Sequence, residues 1–188
     1  MSKVFVITGP SGVGKGTLIA KLLERVPELE LSVSATTREP RDGERDGRDY
    51  HFLEPKEFDR RVDEGDFLEF ATYSDNRYGT LRSEVGRLLD GGRSVVLEIE
   101  VNGARQVRAA MPESVQIFIA PPEPAALRQR LLERGKDSAD AIDARLAVAA
   151  QELAARDEFQ YQVVNDELDR AAGELEKIVR SELVESGP

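Results

Sequence analysis

The sequence predicts an α/β fold: a three-layer arrangement around a central parallel sheet, with a mixed α+β lobe and a helical lid inserted into it. Three observations predict this. Short apolar runs at Val4–Ile7, Val95–Leu97, Val115–Ile119 and Val163–Val164 read as strands buried on both faces. Helical patterns alternate with them, which makes βαβ units and hence parallel pairing. The first run leads into Gly9-Pro10-Ser11-Gly12-Val13-Gly14-Lys15-Gly16-Thr17 and then into helix-forming Leu18–Leu23. Strand, glycine loop and helix in that order are the setting of a P-loop.

Taken in order, strands are predicted over 3–8, 50–53, 67–73, 94–99, 115–120 and 161–164. Helices are predicted over 15–25, 55–64, 82–90, 102–110, 123–134, 138–157 and 167–184. Residues 34–81 break the alternation: they are rich in charge and turn residues, and Phe67–Tyr73 reads as a partly exposed strand. Residues 124–156 are almost wholly helical. Ile142, Leu146, Ala149 and Leu153 form a stripe there, and Ser138 can cap its start. Leu168, Ala172, Leu175 and Val179 give the last helix an apolar face that seals the core. The organisation that follows is a core of 1–33, 82–123 and 157–188, an inserted lobe of 34–81 and a lid of 124–156.

A chain of 188 residues, 40% hydrophobic and 33% charged, has enough material for one well-buried core. No run reaches transmembrane length, and the N-terminal run is too short for a signal peptide. With no cysteine, disulfides, thiolate chemistry and cysteine-based zinc sites are excluded. An intracellular, cytoplasmic setting is expected. The net charge of −10 argues against nonspecific binding to nucleic acid or an anionic membrane. Nothing in the sequence specifies an oligomeric state.

The glycines of the loop let successive main-chain N–H groups turn inward around an anion. The helix behind adds unpaired donors and a partial positive charge, and Lys15 adds a mobile full charge. A nucleotide triphosphate is the expected ligand. At the position after Gly-Lys the pattern has Ser or Thr, whose hydroxyl holds magnesium. Here that residue is Gly16, with Thr17 next, as in adenylate kinase loops.

Four further clusters each have a chemical and a plain reading. Thr36–Phe52 sets Arg38, Arg41, Arg45 and Arg48 among turn residues. Arg38 and Arg41 can clamp a second phosphate, with Tyr50 or Tyr78 donating a hydroxyl, or the segment is a solvated charged loop. Glu69, in an otherwise apolar strand, either accepts from the N1–H and amine edge of guanine or is an outward strand residue. Glu98 and Glu100 end a buried strand on one face. They can organise magnesium and its waters, or one of them meets the acceptor nucleoside. Arg130 and Arg134, with Arg145 on the next helix, can swing onto a transferring phosphoryl group or simply line exposed helix faces.

Together these residues resemble the guanylate kinase family over about residues 3–180. The spacing Thr36-Thr37-Arg38, Arg41, Glu44, Gly47, Tyr50, Phe52 carries most of the likeness. Glu69, Tyr78-Gly79-Thr80, Leu97–Glu100, Gly103, Ala120-Pro121-Pro122, Arg134-Gly135, Arg145-Leu146 and Val164-Asn165-Asp166 extend it. The resemblance implies a reaction, ATP + GMP giving ADP + GDP, and roles for residues. Gly9 to Thr17 would hold ATP, with Asn165 near adenine. Ser34, Glu69, Thr80 and Glu100 would read guanine. Arg38, Arg41, Tyr50 and Tyr78 would hold the GMP phosphate. Lys15, Arg41, Arg134 and Arg145 would be catalytic, and Thr17 and Glu98 would meet Mg2+ through water. Three positions depart from the family pattern: Gly16 replaces a hydroxyl residue, and Glu98 and Glu100 replace aspartates. Two rivals remain at this point: an adenylate kinase, and a catalytically inert peptide-binding domain of guanylate-kinase type.

Overall fold

The structure is a computed structural model describing residues 2–73, 75–134 and 139–184; the side chains of Arg130, Glu133, Arg134, Ala139 and Asp140 are also outside the description. In chain order the first part is β1 (Val4–Thr8), α1 (Lys15–Arg25), β2 (Leu29–Leu31), β3 (Ala35–Thr36), β4 (His51–Phe52), α2 (Pro55–Asp63), β5 (Phe67–Tyr73) and β6 (Asn76–Leu81). Then follow α3 (Arg82–Asp90), β7 (Ser94–Glu98), α4 (Val101–Ala110), β8 (Val115–Ala120), α5 (Pro124–Arg134), α6 (Ala139–Ala154), a 3-10 turn (Arg156–Glu158), β9 (Tyr161–Val164) and α7 (Leu168–Val184).

The main sheet has the order β2-β7-β1-β8-β9 and every pairing in it is parallel. Alternate residues of a strand point to opposite faces. On β1, Phe5 and Ile7 join one apolar layer with α1 and α7, while Val4 and Val6 join a second with α3 and α4. All four are buried. Each such side chain contributes about 1.5–3 kcal/mol by leaving water. Helices therefore cover both faces, which gives the three layers expected.

The register aligns the carboxyl ends of the strands. Ile7 pairs with Glu98, and Thr8 with Phe118. The glycine loop thus leaves the sheet beside the end of β7, at the edge where ligands of parallel sheets bind.

A second, mixed sheet has the order β4-β3-β6-β5. Its small core holds Ala35, Phe58, Phe67 and Leu81, with Phe58 and Phe67 stacked 4.4 Å apart. Gly79 allows the β5–β6 contact, since a Cβ there would stand 2.8 Å from the Glu69 carbonyl oxygen. On edge strand β5, Gln106 of α4 pairs with Phe70 like a neighbouring strand. Its Nε2 donates to Phe70 O at 3.1 Å and its Oε1 accepts from Phe70 N at 3.2 Å.

Three strands were not predicted: β2, β3 and β6. The first two are three and two residues long, and the third, Asn-Arg-Tyr-Gly-Thr-Leu, does not alternate. The helix predicted over 138–157 ends at Ala154 before the 3-10 turn; its Ser138 cap lies outside the described residues. Among the described residues, no helix is long and apolar enough to cross a membrane.

Candidate active site

The glycine loop closes on itself. Gly9, Gly12 and Gly14 have φ of 145°, 84° and 96°, values that side chains disfavour. Val13 N–H donates to Pro10 O at 3.2 Å. A Cβ on Gly9 would collide with the Ile119 carbonyl, and one on Gly14 would stand 2.7 Å from Asn165 Nδ2. Asn165, buried at the end of β9, donates that Nδ2 to Val13 O at 2.7 Å. It braces the loop from behind.

Lys15 Nζ reaches back across the loop to Gly9 O and Pro10 O at 2.5 and 3.4 Å. Burial lowers its pKa, and Glu152 and Glu98 oppose that shift. Glu152 stands on α6, and the Ser11 main-chain N–H also faces its carboxylate; burial raises its pKa against the pull of Lys15. Sequence reasoning missed Glu152. The available signal was a carboxylate beside the apolar stripe of α6.

Glu98 opens toward solvent at the end of β7. Enclosing walls raise its pKa while Lys15 pulls it down. Its carboxylate oxygens lie 3.8 and 3.9 Å from where a Cβ of Gly16 would be, so it borders the place of the missing hydroxyl. Gly16 and Thr17 are exposed. Magnesium keeps several waters and needs only one or two protein carboxylates beside substrate phosphates. Glu98, beside the loop, offers one such carboxylate. Among the described residues there is no cluster of three or more acidic or histidine ligands.

Across the cleft stands the arginine segment. Arg38 Nη2 donates to both oxygens of Glu44 at 2.9 Å, and Glu44 Oε2 also accepts Arg41 N–H at 2.8 Å. These bonds hold the Glu44 carboxyl below its ordinary pKa, with Arg38 the largest cause. The Arg38 guanidinium lies 5.3 Å from the Tyr50 ring centre, and Tyr50 meets Tyr78 edge to face at 6.1 Å. Arg41 is exposed. Glu44 organises the cluster, although no role beyond the family spacing was assigned to it from sequence.

Between the two lies a cavity of about 420 Å³ lined by Lys15, Ser34, Tyr50, Glu98 and Glu100. It runs into a second of about 400 Å³ lined by Glu69, Tyr78 and Gly79. Glu69 is 5% exposed and its Oε1 accepts the Thr80 hydroxyl at 2.7 Å. Burial raises its pKa to about 6, the Thr80 bond opposing and Glu100 adding. An outward strand residue would show none of this. Glu100 has a structural duty too: it caps α4, accepting Asn102 N–H at 3.0 Å and Gly103 N–H at 2.6 Å. Arg145 is half-buried on α6. Arg134 ends α5, with its side chain outside the described residues.

A P-loop lysine on a cleft that also holds Tyr50, Tyr78 and the buried Glu69 is the arrangement of a nucleoside monophosphate kinase. The family described as Guanylate kinase matches residues 1–182. The chain is 53% identical to a guanylate kinase of Prochlorococcus marinus over 178 residues, covering 95% of this chain and 97% of that one. It is 52% identical to one of Rubrobacter xylanophilus over 178 residues, covering 95% and 93%. The crystal structure of guanylate kinase from Anaplasma phagocytophilum superposes with a TM-score of 0.76 at 34% identity, covering 96% of this chain and 86% of that one. The chain belongs to the guanylate kinase family.

Proposed function

We propose that the cleft carries out its family's reaction through two opposed anion sites. The reaction is transfer of the γ-phosphoryl group of ATP to GMP, giving ADP and GDP. The observation that carries the reading is the shared cavity, which joins Lys15 on one wall to Tyr50 and Glu100 on the other.

On the ATP side, the amides of Gly9 to Thr17 and the Lys15 ammonium take the phosphates, and Asn165 keeps the loop in shape. On the GMP side, Arg38, Arg41, Tyr50 and Tyr78 take the monophosphate. Ser34, Glu69, Thr80 and Glu100 line the base end. Glu98 and Thr17 would hold Mg2+ through its waters, and the ion would supply charge neutralisation on the phosphates.

The GMP phosphate is already an anionic nucleophile, so no strong base is needed. Alignment and concentrated positive charge carry the rate. Lys15, Arg41, Arg134 and Arg145 supply that charge, the last two from a lid formed by α5 and α6. Closure of the lid and of the 34–81 lobe excludes water, which would otherwise hydrolyse ATP. We assign the reaction to the cytoplasm, where both nucleotides occur.

The test is a coupled assay comparing GMP with AMP at fixed ATP. A site built around a buried acceptor carboxylate rejects a base lacking the matching donors by roughly 10⁴-fold. That preference in kcat/KM is expected; comparable turnover of AMP overturns the assignment.

A further inference from the structure

Recognition of the base rests on Glu69 in the reading above, and the inference that follows depends on that assignment. The two oxygens of Glu69 have different neighbours. Oε1 is fixed by the Thr80 hydroxyl at 2.7 Å. Oε2 faces Gly103, in the first turn of α4. A Cβ added to Gly103 would stand 2.7 Å from Oε2 and 3.3 Å from Cδ of Glu69. The next neighbour, Ile99 Cβ, would be at an ordinary 3.5 Å.

The backbone does not ask for glycine here. Gly103 is inside a helix and is absent from the residues of positive φ, and glycine is a poor helix former. Nor can the helix withdraw to make room. Its first turn is tied to Glu100 by the Asn102 and Gly103 amides. One turn further on, Gln106 is paired with the main chain of Phe70, the residue after Glu69. Between these two anchors, the space in which a side chain at 103 would stand is held by the Glu69 carboxylate.

We propose that Gly103 is a positioning residue that sets base specificity: lacking a side chain, it lets Glu69 keep the rotamer that bonds Thr80 while its free lone pairs face the cleft. A Cβ at this place pushes against the end of a flexible side chain and not against main chain. The fold therefore tolerates it, and the carboxylate moves. What is lost is alignment with the N1–H and exocyclic amine of guanine.

The experiment compares GMP with inosine monophosphate, which keeps N1–H and lacks the amine, for the natural sequence, Gly103→Ala, Glu69→Asp, Glu69→Gln and the Gly103→Ala/Glu69→Asp double variant. Gly103→Ala is expected to lower kcat/KM for GMP by about 10- to 100-fold, chiefly through KM, and to shrink the preference for GMP. The KM for ATP stays within about twofold, and the melting temperature does not fall, because alanine favours the helix. In the double variant the shorter acid vacates the contested space, so Glu69→Asp costs less there than in the natural sequence.

A GMP preference kept by Gly103→Ala but lost by Glu69→Gln overturns the inference alone. Additive losses in the double variant do the same, even where Gly103→Ala is less stable. A preference that survives Glu69→Gln overturns the base-reading assignment and this inference with it.

Discussion

In the function proposed above, the glycine loop and the arginine segment would both hold phosphate, one with main chain and the other with side chains. In the loop, nine consecutive residues set the geometry through glycine conformations and the Asn165 brace. In the arginine segment, the parts come from β6 and from the chain between β3 and β4, and Glu44 balances their charge. A main-chain cage is positioned by backbone geometry and has one mobile charge, Lys15. A side-chain cage is positioned by its own ion pairs, so changes in charge reach it more readily.

Three measurements sharpen this contrast. Lys15→Met removes the one mobile charge and leaves the amides, so turnover should fall roughly 10²–10³-fold with the melting temperature little changed; near-normal turnover would show that the amides suffice.

Acid should act on the GMP side through Glu69, whose pKa is raised to about 6 chiefly by burial. The ionised carboxylate is the form that accepts the base's donors, and it predominates above that pH. One unit below it, about a tenth remains ionised, so KM for GMP should rise about tenfold at pH 5 relative to pH 7.5. The phosphate of GMP also titrates near 6, so Glu69→Gln should keep only the phosphate's share of the slope. Identical slopes in the two proteins would remove Glu69 from the account.

The smallest effect is expected from Glu44→Gln. Arg38 would lose its charged partner, and one of the two acceptor oxygens that serve Arg38 and the Arg41 N–H would become a donor. KM for GMP should rise about fivefold, as for loss of one partly exposed ion pair, with KM for ATP unmoved. A rise in both would mean that the two cages are not independent.

The same contrast explains what was legible in the sequence. The loop is contiguous and its chemistry is in its residue types, so Gly9 to Thr17 could be read directly. The parallel sheet was legible because burial on both faces leaves unbroken apolar runs such as Val115–Ala120. β2 and β3 were too short to carry a period, and β6 exists through its pairing with β5 and the Gly79 contact. Glu69 stood out as a charge among apolar residues, yet its burial depends on α4, some thirty residues later. Glu152 was missed because its partner Lys15 is brought to it by tertiary folding. Glu44 meets Arg38 and Arg41 within its own loop, but an irregular loop has no period from which such pairing is read, and each is one acid among 36 Asp and Glu.

The Asn165 brace carries a consequence for how the chain is made. Its partner Val13 lies 152 residues earlier, and β9 is placed by pairing with β8. The ribosome therefore delivers the glycine loop well before its keystone. A nascent polypeptide that stops short of Asn165 has every glycine of the loop and still lacks the bond that holds them in formation, so the finished shape of the loop waits until β9 has been made.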